Sequence, residues 1–143
     1  MADDMLRYQL THPALLSALA EAGHGSKLLI ADGNFAHRTN SYRGAPVIYL
    51  NLRPGLVTVD QVLEVVIDAT PLERATLFAT DDGSIADCET GYRALLADIP
   101  VDKLGRADFY QACQQSDLAA VVATGDQRHF ANVLLTVGFN PAP

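Results

Sequence analysis

At 143 residues, with 49% hydrophobic and 19% charged side chains, the chain is long enough to bury a core and too apolar to be disordered, and 1–143 reads as one soluble domain. Its formal charge of −7 comes with no compensating basic patch, which excludes a general nucleic-acid binder. No apolar run approaches the roughly 20 residues of a membrane span, and the start Met1-Ala2-Asp3-Asp4 is acidic where a secretory leader is basic, so a cytoplasmic protein with no membrane partner is expected.

The first predicted element is a helix capped by Thr11, with Pro13 in its first turn. Leu15, Leu16 and Leu19 make its apolar stripe, and Gly23 is its stop. Residues 27–31 (Lys-Leu-Leu-Ile-Ala) read as a buried strand that exits at Asp32-Gly33. The segment 33–45 is polar and irregular, and loops of that length in compact domains tend to carry function. A strand over 46–50 follows. Next comes a helix with a capping box, Thr58 with Gln61 three residues on, whose Val62, Val65 and Val66 face the core. Arg74–Thr80 reads as a strand ending in Asp81-Asp82-Gly83. Helices are predicted over 86–97 and 106–115, with a weak link at 98–105 that contains Pro100 and Gly105. Strands Leu118–Ala123 and Asn132–Val137 close the pattern. Strands alternating with helices imply an α/β fold whose mostly parallel sheet is covered by helices on both faces.

Several residues on this frame could carry chemistry. His24 sits between two glycines after the first helix, and imidazole both gives and takes protons near neutrality. Asp32, at the exit of a buried strand, either binds a ligand where open α/β sheets do so or caps the turn at Gly33-Asn34. His37, Arg38, Tyr42 and Arg43 stud the long loop, where solvated polar side chains are ordinary. Arg106 and Tyr110 stand at i and i+4 on one helix face. Phe130 and Asn132 flank the start of the last strand; a ring beside an amide suits a sugar, which offers a C–H face to stack and hydroxyls to bond. Asp32, Asp81, Asp82 and Asp126 raise a different idea, carboxylates at strand ends sharing Mg²⁺ in a hydrolase. No Asp-x-Asp or lysine partner accompanies them, however, and Asp-Gly is a plain turn signal. Neither a glycine-rich phosphate loop nor a serine nucleophile elbow occurs. Cys88 and Cys113 lack metal or disulfide spacing and read as packing. These readings expect no metal and no cofactor.

Taken together, these positions resemble the RbsD/FucU family of ribose pyranases and L-fucose mutarotases. The matching pieces are Leu19-Ala20-Glu21-Ala22-Gly23-His24-Gly25, Ala31-Asp32, Arg106 with Phe109-Tyr110, and Val121-Val122-Ala123-Thr124-Gly125. The last is Phe130-Ala131-Asn132-Val133-Leu134-Leu135, closing with Gly138. The pieces run in the family's order from residue 10 to 139. The resemblance implies the family's three-layer α/β sandwich, assembled as a homo-oligomer, commonly a decamer, with sugar sites near subunit contacts. It implies His24 as proton donor, with Asp32, Arg106, Tyr110, Phe130, Ala131 and Asn132 holding the sugar. A histidine tends to stand at the Arg106 position in the ribose branch, so the chain leans toward the fucose branch. Glu73 falls near an acidic residue of the family. Two departures stand out: Phe130 replaces the family's usual tyrosine, and Gly33-Asn34-Phe35-Ala36-His37 lacks a proline often seen there. The reaction implied is mutarotation, with pyranose–furanose exchange through the same opened aldehyde. A non-catalytic monosaccharide-binding protein tied to sugar uptake is the alternative. The mechanism expected places His24 and Asp32 on one small hollow, with Arg106 and Asn132 lining it.

Overall fold

A computed structural model describes residues 6–143 of the chain. Its elements are α1 (Pro13–Glu21), β1 (Lys27–Ala31), β2 (Val47–Tyr49), α2 (Val59–Ala69), β3 (Leu72–Phe78), α3 (Glu89–Leu96), β4 (Val101–Leu104), α4 (Arg106–Cys113), β5 (Leu118–Ala123) and β6 (Val133–Val137). The strands form one sheet in the order β2-β5-β1-β6-β3-β4. The pairs β2–β5, β5–β1 and β3–β4 are parallel, while β6 runs antiparallel to both β1 and β3. β1 to β5 therefore all point the same way, and β6 alone is reversed.

Period-2 alternation divides the core between the two faces. Leu28 and Ile30 of β1, Ala120 and Val122 of β5, and Val133 and Leu135 of β6 pack with Leu15 of α1, Leu63 and Val66 of α2, and Tyr92 and Leu96 of α3. Leu29, Val121 and Leu134 point the other way, against Phe109 and Cys113 of α4 and Phe35 from the long loop. Helices thus cover both faces, as the element pattern predicts. Full burial of one such side chain contributes roughly 1.5–3 kcal/mol, so the sheet is a stiff platform for what its edges carry.

Local departures have local causes. His12, not Thr11, caps α1: its Nδ1 accepts the Leu15 N–H at 3.3 Å. Gly23 does not end that helix in a left-handed turn, because Ala22 leaves it in extended conformation and Gly25, at φ +86°, makes the left-handed step. The capping box of α2 forms as read, with Thr58 and Gln61 bonded reciprocally. Val62 and Val66 are buried, and Val65 packs partly buried beside them. The link 98–105 holds β4, whose Val-Asp-Lys-Leu sequence shows little apolar alternation because the strand lies at the sheet edge. Its Asp102 accepts hydrogen bonds from Arg74 and Thr76, and its Lys103 pairs with Glu89.

Candidate functional site

With five strands pointing one way, their carboxyl ends and the start of β6 share one edge of the sheet. Asp32 follows β1, Phe78 ends β3, Arg106 follows β4, and Phe130 to Asn132 lead into β6. Ligands of open α/β sheets bind at that edge. Here it holds a hollow of about 120 Å³, lined by Asp32, Asn34, Phe35, Phe78, Arg106, Tyr110, His129, Phe130 and Asn132. That is well below the roughly 300–1,000 Å³ of drug-sized pockets, so the hollow suits a small ligand.

Asp32 is buried, and both roles open to it in the sequence are realised together. Its Oδ1 accepts the N–H groups of Asn34 and Phe35, each at 3.0 Å, while the residue lines the hollow. Burial pushes its carboxyl above the ordinary carboxylate value; backbone N–H groups of Asn34, Ala131 and Phe35 oppose the shift, and the charge of Asp126 adds to it. Asn132 Oδ1 accepts the Asp32 N–H at 2.7 Å, which turns the NH₂ end of that amide into the end available to a ligand. Arg106 opens α4. It donates to Tyr110 Oη at 3.2 Å, one turn on, and to Asp81 at 3.0 Å. Its guanidinium lies 5.5 Å from the Phe78 ring centre and 5.7 Å from that of Phe130. Rings, a guanidinium, a carboxylate and an amide therefore meet within one small volume.

The wall formed by residues 128–132 is pinned from behind. Arg128 donates to both carboxylate oxygens of Asp126, at 3.0 and 2.7 Å, and to Asp60 of α2. Asp126 also accepts the Val59 N–H at the start of α2. Burial pushes the Asp126 carboxyl up, but the hydrogen bonds from Arg128, Val59 and the Arg128 backbone outweigh it and hold the group below the usual carboxylate range. Tyr92 Oη donates to the Ala131 carbonyl at 2.7 Å and Cys88 Sγ to the Phe130 carbonyl at 3.4 Å. Phe130 is held at φ +57°, a region side-chain-bearing residues seldom occupy unless their surroundings impose it. Gly125, in the turn before this wall, has no room for a Cβ, because the carbonyl oxygens of Arg53 and Leu56 lie against it.

Five of the six sugar-holding residues implied by the resemblance line the hollow; Ala131 is fully buried and contributes backbone only. Sequence reasoning missed Asn34, Phe35, Phe78 and His129. The signal for Phe78 was its place at a strand's carboxyl end, and His129 directly precedes a residue already singled out. Of the loop side chains, His37 Nε2 lies 2.9 Å from the Asp32 carbonyl. Arg38, Tyr42 and Arg43 line a separate depression. Among the strand-end aspartates, Asp81 pairs with Arg106, Asp82 accepts the Ser84 N–H, and Asp126 holds Arg128. Among the described residues no group of three or more His, Cys, Asp or Glu side chains is placed to hold a metal ion. Both cysteines are buried, and burial pushes the Cys113 thiol up to about 12.

His24 is not at the hollow, which corrects the expectation that it and Asp32 share one. It precedes β1 and Asp32 follows it, so the strand, roughly 16 Å long at about 3.3 Å per residue, separates them. At the amino edge, His24 Nε2 stands 3.1 and 3.2 Å from the carboxylate oxygens of Glu73, at the start of β3. Its ring lies 5.2 Å from that of Phe139, just beyond β6. A groove of about 470 Å³ runs beside it, with Leu16, Leu19, Pro71 and Val137 among its walls. The reason is geometric: a helix–turn–strand connection delivers its turn residues to the strand's start, never to its end.

These features define a class: an α/β protein with one predominantly parallel sheet and a small ring-and-amide-lined ligand site at the carboxyl edge. A profile of the RbsD / FucU transport protein family matches residues 5–140, and the chain belongs to that family. It is 32% identical over 140 residues to the fucose mutarotase of Mus musculus, covering 88% of each chain. Its fold matches that of Bacillus subtilis RbsD complexed with D-ribose, with a TM-score of 0.82 at 23% identity over 96% of this chain and 100% of that one. It also matches the Streptococcus pneumoniae fucose mutarotase in complex with L-fucose, with a TM-score of 0.79 at 24% identity over 91% and 94% of the two chains.

Proposed function

We infer that this protein is an isomerase, a monosaccharide mutarotase that opens and recloses the ring of L-fucose or a sugar of similar size. One observation carries the reading: the carboxyl-edge hollow joins aromatic faces (Phe78, Phe130) to a carboxylate (Asp32), a guanidinium (Arg106) and an amide (Asn132) in a volume that suits a single sugar ring. The names and bound sugars of the relatives above support it.

Mutarotation puts a proton on the ring oxygen while the anomeric hydroxyl loses one, and a positioned acid or base accelerates such a step by about 10²–10⁴-fold. His24, hydrogen-bonded to Glu73, has the chemistry for this and stands at the opposite edge of its own sheet. The two edges meet in a homo-oligomer whose copies pack the His24 edge of one against the Asp32 hollow of the next. The exposed Phe139 and the groove beside His24 are the surface such packing would cover. Asp32 and Arg106 then orient the hydroxyls, Phe130 and Phe78 stack on the ring, and His24 of the neighbouring copy protonates the sugar.

Saturation-transfer NMR on L-fucose, D-ribose, D-galactose and L-rhamnose tests this directly. Faster α/β exchange for at least one sugar is the expected result. Binding without faster exchange would replace the enzyme by a sugar-binding protein, a reading motivated by the distance of His24 from the hollow within one chain and by the missing hydroxyl at Phe130.

A further inference from the structure

Ring opening needs a group to take the anomeric proton as well as one to give a proton to the ring oxygen. Two candidates for that second role fall away on geometry. Glu73 is engaged by the donor His24 itself, at 3.1 and 3.2 Å, and Phe130 has no titrating atom. Tyr110 lines the hollow, but its hydroxyl oxygen accepts the Arg106 N–H.

We propose that His129 is the second proton-transfer residue of this site, the imidazole that the same chain supplies to the hollow holding Asp32, Arg106 and Asn132. This rests on the mutarotase reading and extends it. Among the described residues His129 is the one histidine lining that hollow. It stands between two residues whose positions are set by others: Arg128 by its carboxylate partners Asp126 and Asp60, and Phe130 by the Cys88 thiol on its carbonyl. The left-handed step at Phe130 turns the chain so that both side chains, 129 and 130, reach the same cavity. An imidazole so placed supplies proton-transfer chemistry that Phe130 lacks.

In the forward step neutral His129 takes the proton of the anomeric hydroxyl. The O–H electron pair becomes the second bond of the aldehyde carbonyl. The bond from C1 to the ring oxygen breaks with its pair going to that oxygen, which takes a proton from His24 of the neighbouring copy. Rotation about C1–C2 and the reverse transfers close the ring on the other face, with both histidines restored and no net oxidation.

The groups facing His129 are Asp32 after β1, Arg106 and Tyr110 of α4, Asp81, Asp82 and Asp87 in the loop after β3, and its neighbour Arg128. A general base acts only in its neutral form, so the contribution of His129 is lost on the acid side.

The test is His129→Gln in the full chain, with anomer exchange of L-fucose and D-ribose measured from pH 5 to 9. The expected result is a fall in kcat of about 100-fold, KM within about twofold, and loss of the acid limb that the wild-type protein shows. In the wild-type protein the Cε1–H resonance of His129, identified by its absence from the variant, shifts when either sugar is added. Wild-type exchange with an unchanged rate and pH profile in His129→Gln overturns the assignment of His129 alone, as does a resonance that neither sugar moves. A wild-type protein that exchanges no sugar removes the mutarotase reading and this role with it.

Discussion

At the carboxyl edge of the sheet Asp32 and Asn132 are buried and each is fixed by a further protein group, whereas at the amino edge the His24 side chain is 54% exposed and its Glu73 partner 44%. The contrast separates two kinds of site-building. The hollow is preorganised within one chain: a buried carboxylate is braced by backbone N–H groups, and a left-handed residue is clamped from behind. The His24 edge offers an imidazole, a groove and an exposed ring, which under the proposed function make half of a site. A surface ion pair of this exposure contributes little to stability, so the fold itself gains little from His24 and Glu73.

Breaking the comparison from the amino edge gives the largest effect. His24→Ala is expected to reduce anomer exchange by about 10²–10⁴-fold and to leave the melting temperature nearly unchanged, as activity and thermal unfolding on the same sample would show. An equally large loss of stability would mean that His24 belongs to the fold. The carboxyl edge responds in the opposite way. Asp126→Ala removes the buried partner of Arg128 and the cap on Val59, and a loss of about 3 kcal/mol in chemical unfolding is expected. Because the Asp126 carboxyl is held below its ordinary value of 3.8, its contribution is fully present above that value. It is lost as the pH falls through the lower folded-state value. The variant should accordingly lose less stability on acidification than the parent.

Asp32 carries the reverse sign and sharpens the contrast. Burial raises its carboxyl, so the folded state binds the proton more tightly, and ionisation of this group diminishes stability as the pH rises through its folded value. Asp32→Asn keeps an acceptor for the Asn34 and Phe35 N–H groups. It should therefore be at least as stable as the parent at neutral pH, while sugar affinity falls about 10- to 100-fold with the loss of a charged hydrogen-bond acceptor. Titration calorimetry alongside thermal unfolding separates the two effects. Phe130→Tyr is the mildest change. A hydroxyl added beside Arg106 should raise exchange of fucose-like sugars by up to about tenfold, and no gain would mean that the missing phenol does not limit the reaction.

Much of the carboxyl edge was legible in the sequence because strand ends are. Asp32 follows a run that reads as a buried strand, and Asn132 begins another. The capping box of Thr58 and Gln61 marked α2 without ambiguity. β4 was hidden because an edge strand with Asp102 and Lys103 exposes one side and shows no apolar alternation. Phe78 was not singled out, since a strand-end aromatic looks the same whether it faces a core or a ligand. The error about His24 came from treating sequence proximity as spatial proximity. Eight residues span the full length of a strand, and the direction of β1 sends positions 24 and 32 to opposite edges. The reversed strand β6, which brings Phe139 to His24 and Phe130 to Arg106, follows from pairing partners that no local pattern reveals.

The most direct test of a site completed between copies is to dissociate, mix and reassemble the variants His24→Ala and Asp32→Asn, assayed at a sugar concentration low enough that each alone exchanges poorly. If each sugar site takes its imidazole from one copy and its carboxylate from another, roughly a quarter of wild-type exchange should return on mixing, since a symmetric assembly pairs the intact edges by chance. Verified mixed assemblies that exchange no faster than their parents would show that the two residues never act on the same sugar.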